Sequence, residues 1–197
     1  MKDKFISISA PSEGLYKEKG SRFIAYALPV SSEREAADAL KALSVKHHAA
    51  RHICYAYRIA APEGELWRAS DAGEPSGTAG RPILSQIDAR GMSNVLVAVV
   101  RYFGGILLGA AGLGRAYRAA AADALDKAVP AEKTLVKICT VIFDYERQGA
   151  VEKILRDRAV SVVERSYGES CVIKAEVPLS LIAEIGEQLK IIANFIE

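Results

Sequence analysis

The sequence predicts an α+β protein of two domains, and two observations carry that prediction. Residues 1–130 alternate short β-rich runs with amphipathic helices, and nine of the chain's fifteen glycines lie between Gly73 and Gly114. Residues 131–197 follow the order strand, helix, strand, strand, helix, strand, which is typical of a ferredoxin-like βαββαβ fold. We therefore expect domains over 1–130 and 131–197, joined by a linker at Pro130–Lys133.

The composition is that of a globular protein, with half of the 197 residues hydrophobic and a quarter charged. No run approaches the roughly 20 apolar residues of a membrane-spanning helix, and the first residues lack the apolar core of a signal peptide. We therefore expect a cytoplasmic protein with no membrane partner. Residues 1–130 hold 17 Lys and Arg against 13 Asp and Glu, and this mildly basic balance permits polyanion binding without requiring it.

Hydrophobic periodicity defines the first elements of the N-terminal domain. Ser32 and Glu35 form a capping box, which predicts a helix that ends near Val45. The turn residues at 61–64 separate two alternating runs and so predict a hairpin. The predicted strands before the glycine-rich region are 5–8, 15–19, 23–28, 53–59 and 66–69.

Two glycine-rich loops each lead into a helix. The first runs from Asp71 to Gly80, and Pro82 suits the first turn of the helix that follows. The second loop follows 95–100, a continuous apolar run typical of a buried strand, and precedes an alanine-rich helix over about 110–128. A strand, a glycine-rich turn and a helix N-terminus together favour anion binding, because unpaired N–H groups and the helix dipole converge there.

We expect the two loops to share one face and to bind an anion or nucleic acid there. Gly104 and Gly105 should need either a positive φ or a close backbone approach. The predicted binding residues are Arg81, Arg101, Gly104, Gly105, Gly109 and Arg115. The alternative is that each arginine pairs with Asp71, Glu74 or Asp88 and serves only the fold.

The acidic residues of the first loop admit two interpretations. Asp71 and Glu74, with Thr78 nearby, could hold Mg²⁺ beside a phosphate, since hard oxygen ligands suit that ion. Side chains of the same type in a turn also accept hydrogen bonds from the backbone, and this structural role is at least as well supported. We predict no cofactor.

The three histidines, His47, His48 and His52, do not predict a metal site. The spacing of His48 and His52 joins two imidazoles only on a continuing helix, whereas the residues after 52 alternate as a strand. We expect His52 to face the glycine loops. The cysteines are odd in number and widely spaced, so we expect buried thiols at Cys54, Cys139 and Cys171.

Two long motifs resemble the signatures of the Impact/YigZ family. The first is Asp71-x-Gly-Glu-Pro-x-Gly-Thr-Ala-Gly-x-Pro82, and the second is Val99-Val-Arg-Tyr-Phe-Gly-Gly-x-x-Leu-Gly-x-x-Gly-Leu-x-Arg-Ala-Tyr117. Shorter matches lie at Lys19–Ile24 and at Arg51-His52-x-Cys54-x-Ala56-Tyr57. The resemblance implies an N-terminal domain like the second domain of ribosomal protein S5, followed by a ferredoxin-like domain.

The same resemblance implies a role in translation. Eukaryotic relatives damp the translational response to amino-acid starvation by competing for a protein activator of an initiation-factor kinase, and bacterial members have been suspected of binding nucleic acid or ribosomes. We therefore expect a non-enzymatic regulatory protein whose partner at the loop face is RNA, the ribosome or a translation factor. The alternative is an enzyme that acts on a phosphorylated small molecule at the same loop, although the loop lacks the Lys-Ser/Thr ending of a P-loop.

Overall fold

The computed structural model describes residues 3–196, which form two compact units. The first unit comprises residues 5–133, and the second comprises residues 134–196 together with Asp3 and Lys4. Each unit has its own hydrophobic core. The predicted α+β class is confirmed. Within residues 3–196, no helix is both long enough and apolar enough to cross a membrane.

The first unit is built on an antiparallel sheet with the strand order β2–β3–β6–β4–β5. Most of its predicted elements are present, with ends displaced by a few residues. The elements are β1 (Lys4–Ile8), β2 (Ser12–Glu18), β3 (Ser21–Pro29), α1 (Glu33–Lys46), β4 (His52–Ile59), β5 (Leu66–Ser70), α2 (Gly80–Ala89), β6 (Val95–Tyr102), α3 (Gly109–Lys127) and β7 (Pro130–Thr134).

β6 lies in the middle of the sheet and is covered on both faces. Every residue from Val95 to Val100 is 0 % exposed. Val95, Val97 and Val99 belong to the core that includes residues of α2 and α3. The residues between them pack with residues of α1, so the helices lie on opposite sides of the sheet. The continuous apolar run thus forms the buried strand that the sequence predicted.

The residues predicted as a linker form a strand instead, which corrects that part of the sequence interpretation. Pro130–Lys133 belong to β7, which pairs with β1 in a separate small sheet. The N–H of Ser9 also donates to the carbonyl of Val129 at 2.9 Å. β7 is largely exposed, so its residues show no apolar alternation from which a strand could be predicted. The domain division into 1–130 and 131–197, and the independent folding of the fragment from about Ala131 onward, stay predictions.

The second unit has the ferredoxin-like topology. Its sheet order is β11–β8–β10–β9, so the first of its strands lies beside the third, and the neighbouring strands are antiparallel. Single turns at 145–147 and 179–181 precede its helices. The elements are β8 (Val136–Phe143), α4 (Gln148–Asp157), β9 (Ser161–Tyr167), β10 (Cys171–Pro178), α5 (Ile182–Leu189) and β11 (Asn194–Ile196).

Asp3 completes the second unit although it is remote from it in sequence. Its Oδ2 accepts a hydrogen bond from the N–H of Ser180 at 2.7 Å, in the turn that leads into α5. Its carbonyl oxygen accepts another from Leu135 at 2.7 Å. The hydrogen bonds from Ser180 hold the pKa of Asp3 below its usual range, although burial acts in the opposite direction.

A fragment of residues 131–197 should fold by itself, but with lower stability than the same unit has in the full chain. The fragment lacks Asp3, so the N–H groups of Leu135 and Ser180 lose their acceptors, at about 1 kcal/mol each. A dispersed amide NMR spectrum would show that the fragment folds. Asp3→Ala in the full chain should lower the protection of α5 amides against hydrogen exchange, and a disordered spectrum of the fragment would contradict the domain division.

Candidate anion-binding site

The carboxylate of Asp71 accepts three hydrogen bonds from the backbone of the first loop. Its Oδ1 accepts from the N–H groups of Ala79 and Gly80 at 2.9 and 2.8 Å, and its Oδ2 accepts from Gly77 at 2.8 Å. Asp71 therefore occupies the N-terminus of α2, where the N-cap residue Ala79 makes no side-chain hydrogen bond. Burial raises the pKa of Asp71, but the three N–H donors outweigh it and the pKa lies below its usual range.

Glu74 forms a buried ion pair with Arg101. The Nη1 of Arg101 donates to Oε1 of Glu74 at 2.6 Å, and the side chains of Arg101 and Glu74 are only 9 % and 4 % exposed. The hydroxyl of Tyr117 donates to the same Oε1 at 2.8 Å. The guanidinium carbon of Arg101 also lies 5.6 Å from the ring centres of both Phe23 and Phe103.

Cys54 lies behind this ion pair. Its thiol donates to the carbonyl of Asp71 at 2.9 Å and lies 3.3 Å from the hydroxyl of Tyr117. Burial raises the pKa of Cys54 to about 12, so the thiol is not a nucleophile at neutral pH. The predicted buried thiols are confirmed at all three cysteines.

Asp71 and Glu74 do not form an available carboxylate pair, because protein donors bind both oxygens of Asp71 and Oε1 of Glu74, and the Glu74 side chain is buried. The hydroxyl of Thr78, the third residue of that set, donates to the carbonyl of Pro75 at 2.7 Å and so stabilises the same loop. Among residues 3–196, no group of three or more His, Cys, Asp or Glu side chains is arranged to hold a metal ion. The Mg²⁺ interpretation thus has no geometric support.

The three histidines lie in different surroundings. The Nδ1 of His52 donates to the carbonyl of Ala72 at 2.8 Å, so His52 contacts the first loop as expected. His47 is buried and bridges the hydroxyls of Tyr26 and Tyr102, at 2.8 and 2.9 Å. His48 is exposed.

The second loop, residues 103–108, joins β6 to α3. The N–H of Gly104 donates to Oγ of Ser21 at 3.1 Å and so attaches the loop to the turn between β2 and β3. In the part of the chain that the structure describes, no side chain caps α3, and its first turn contains no acidic residue. Because residues 109–111 are exposed, the positive end of the α3 dipole faces solvent.

Two of the predicted arginines lie at the surface near the start of α3. Arg115 is exposed, and its Nη2 lies 3.8 Å from the position that a Cβ on Gly112 would take, so the side chain reaches back toward the first turn. Arg81 is also exposed and precedes Pro82, whose ring lies 3.9 Å from the Cβ position of Gly114. The starts of α2 and α3 are therefore neighbours.

The third predicted arginine, Arg101, does not lie exposed at the surface as a residue of the expected anion site. It is buried and paired with Glu74, as the alternative interpretation anticipated. Asp88, also named there, pairs with Arg58 instead. Anion binding by these arginines and by Gly104, Gly105 and Gly109 stays a prediction.

Sequence reasoning did not assign a role to Tyr117. Its side chain is fully buried, and its hydroxyl binds Glu74 from α3. The signal was its position as a large polar aromatic residue in a helix face made of alanines, because a buried tyrosine needs a hydrogen-bond partner.

The fold and the site together define a two-domain α+β protein whose first glycine loop is held by a buried ion pair. The Impact N-terminal domain matches residues 19–125. The chain is 31 % identical over 182 residues to the IMPACT family member YigZ of Escherichia coli, a match covering 92 % of this chain and 89 % of the relative. This protein belongs to the Impact family.

Other relatives agree with that membership. The chain is 38 % identical over 150 residues to YvyE of Bacillus subtilis (76 % of this chain, 69 % of the relative) and 43 % identical over 160 residues to a member from Thermus thermophilus (80 % and 84 %). A crystal structure described as that of a hypothetical protein superposes with a TM-score of 0.78 at 28 % identity, covering 100 % of this chain and 98 % of the other.

Alanine should be tolerated very differently at the two adjacent glycines of the second loop. A Cβ on Gly104 would lie 2.0 Å from the carbonyl carbon of Gly20 and 2.1 Å from the nitrogen of Ser21, so the backbone would have to shift. A Cβ on Gly105 meets no atom within 4 Å, and only its φ of +87° is strained. Urea unfolding should show a loss of about 3 kcal/mol or more for Gly104→Ala and about 1 kcal/mol for Gly105→Ala. Equal losses would contradict this geometry.

Replacing Asp71 should destabilise the first unit in a pH-dependent way. Because its pKa is lower in the folded than in the unfolded protein, its stabilisation is complete above about pH 4, the ordinary aspartate pKa, and is lost as the pH falls through the folded pKa. Asp71→Ala should cost about 2 kcal/mol at pH 7, since three N–H groups lose their acceptor. Urea unfolding from pH 7 to pH 3 should show the difference from the unmodified protein shrinking below pH 4. A constant difference would disprove this role of the charge.

Proposed function

We propose that this protein is a non-enzymatic, translation-associated regulatory protein that binds single-stranded RNA. The proposed contact surface, called the loop face below, consists of residues 103–112 with Arg81 and Arg115. The observation that carries the proposal is a difference between the helix N-termini that follow the two glycine loops. The side chain of Asp71 binds the N-terminus of α2, whereas no side chain of the described residues caps α3.

The N-terminus of α2 is filled by the chain itself, whereas that of α3 is open to an external anion. Asp71 supplies the negative charge at α2 through its hydrogen bonds to Ala79 and Gly80. The first turn of α3 is exposed and has no capping side chain among the described residues. Exposed N–H groups at the positive end of a 19-residue helix suit a phosphate oxygen.

Of the two arginines beside this N-terminus, Arg115 is the more available to a ligand, since the charge of Arg81 also helps to lower the pKa of Asp71. Arg115 has one ionic contact in the described structure, with Glu18 at 4.0 Å, and its side chain is 66 % exposed. An exposed pair at that distance contributes little, so its guanidinium can turn to a phosphate at small cost. The excess of basic residues in 1–130 favours the approach of a polyanion to this unit.

The chemistry at the face favours binding over catalysis. The carboxylates of Asp71 and Glu74 are engaged by backbone and side-chain donors, and the thiol of Cys54 is buried and protonated. None of the three is free to act as a general base or a nucleophile. The translational part of the proposal rests on the Impact family, whose eukaryotic members regulate translation in starvation.

Replacing both exposed arginines should weaken RNA binding without a change in sequence preference. In filter-binding titrations with single-stranded RNA, Arg81→Gln with Arg115→Gln should lower the affinity for all sequences alike. It should also flatten the slope of log K against log salt by about 0.7 for each phosphate that the variant no longer neutralises.

Arg34→Gln is the charge-matched control for Arg81→Gln and for Arg115→Gln when each is made singly. It removes one exposed positive charge from the start of α1, on the opposite side of the sheet from α3. RNA affinity that is unchanged by the double replacement at low salt would remove the loop face as an RNA site. A translation-factor protein would then be the partner to test by pull-down.

A further inference from the structure

A cavity of about 430 Å³ lies in the first unit, at the ends of β4 and β6. Its volume is in the range of small-molecule sites, and it is too large for a lone phosphate. Arg51, which borders this cavity, is not among the residues predicted for the anion site. The lining includes Arg51, His52, Arg101, Tyr102, Phe103 and Leu107.

One wall of the cavity is cationic and well positioned. His52 lies opposite Arg101 in the β4–β6 register. Because a carbonyl only accepts hydrogen bonds, the contact with Ala72 places a proton on Nδ1, so that Nε2 of the neutral imidazole is an acceptor suited to a hydroxyl of a bound ligand. Arg51 is exposed at the same wall and adds a positive charge.

Arg101 supplies the buried polar group of this wall. Its residue is only 8 % exposed, and its Nη1 is engaged by Glu74. Its Nε is buried and, among residues 3–196, donates no hydrogen bond. Because this atom is closed to solvent, a ligand in the cavity would bind it only after a shift of the Arg101 side chain that brings Nε to the cavity surface. Since Glu74 offsets the charge of Arg101, Arg51 supplies the net positive charge.

The other wall is aromatic and apolar. Phe103 is 56 % exposed and Leu107 is 82 % exposed, although both are large apolar side chains. The guanidinium of Arg101 lies 5.6 Å from the ring centre of Phe103, so the cationic and aromatic walls meet there. Exposed aromatic rings beside arginines are the usual surfaces on which nucleic-acid bases stack.

We infer that this cavity binds one nucleotide, with its phosphate at Arg51 and Arg101, a ribose hydroxyl at Nε2 of His52 and its base against Phe103. A purely apolar ligand would leave the cationic wall without an anionic partner. A phosphate alone would leave the aromatic wall without a contact. The shared chemistry is that of a nucleoside monophosphate, either free or as one unit of single-stranded RNA. The RNA case rests on the function proposed above, whereas the free nucleotide does not.

Isothermal titration calorimetry of the full chain with AMP tests the inference. AMP should bind saturably, and adenosine and inorganic phosphate should each bind at least tenfold more weakly, because each lacks one half of the recognition. Arg51→Gln and Phe103→Ala, both at exposed side chains, should each weaken AMP binding about tenfold. Arg34→Gln, at the start of α1 and outside the cavity, should leave AMP binding unchanged. No saturable binding at millimolar AMP, or binding by both cavity variants that is as tight as that of the unmodified protein, would overturn the inference.

Competition separates the two sources of the nucleotide. If the source is RNA, a short single-stranded RNA displaces AMP, and Arg51→Gln weakens RNA binding further in the Arg81→Gln, Arg115→Gln background. If the source is a free nucleotide, that double variant binds AMP normally, and Arg51→Gln weakens AMP binding but leaves RNA binding unchanged.

The two proposals also fail separately. RNA binding that depends on Arg81 and Arg115 without any AMP binding would overturn the cavity and support the loop face. AMP binding that depends on Arg51, with no RNA binding at all, would support the cavity and overturn the RNA function.

Discussion

The Glu74 carboxylate joins three parts of the first unit that are distant in sequence. It holds the first loop to β6 through Arg101 and to α3 through Tyr117. Both charges of the ion pair are out of water, so each needs the other; removing one partner of such a pair typically costs about 3–5 kcal/mol. If the first loop left the sheet, Arg101 would therefore lose Glu74 and remain as an unpaired charge in the protein interior. The position of Asp71 at α2 and the contact of His52 with Ala72 both depend on a loop that stays in place.

Much of the fold could be predicted because its signals are local. The run 95–100 is apolar at every position, and only a strand covered on both faces needs that. The second unit alternates clearly enough to reveal all six of its main elements. The prediction was wrong at Pro130–Lys133, because a strand that pairs with β1 but remains exposed carries no hydrophobic period. Glu35 also departs from a standard capping box: its carboxylate accepts from Ser31, one residue before the N-cap.

The site was less predictable, because long-range contacts decide which charges are available. Arg101 shares its strand face with Val95, Val97 and Val99, so its direction follows from the period of two. The burial of Arg101 does not follow from this period, because it depends on contacts with Phe23 and Glu74, which belong to other segments of the chain. The sequence likewise contains two glycine loops, each followed by a helix. No local sequence signal predicts that Asp71 occupies the N-terminus of α2 while the N-terminus of α3 stays open. Such assignments require the tertiary structure.

The pairing of β1 with β7 has a consequence for the order in which the protein is made. These strands lie at opposite ends of the first unit, so their ladder closes almost the whole unit into one loop. During synthesis β1 emerges before β7, and its Ile6 can pair with Met92 as soon as residues 92 and 93 have left the ribosome. The five-stranded sheet can form before β7 emerges, because β2 to β6 precede β7 in the chain. Closure of this small sheet is thus a late event of high contact order, which follows the contacts of β1 with residues 92–94.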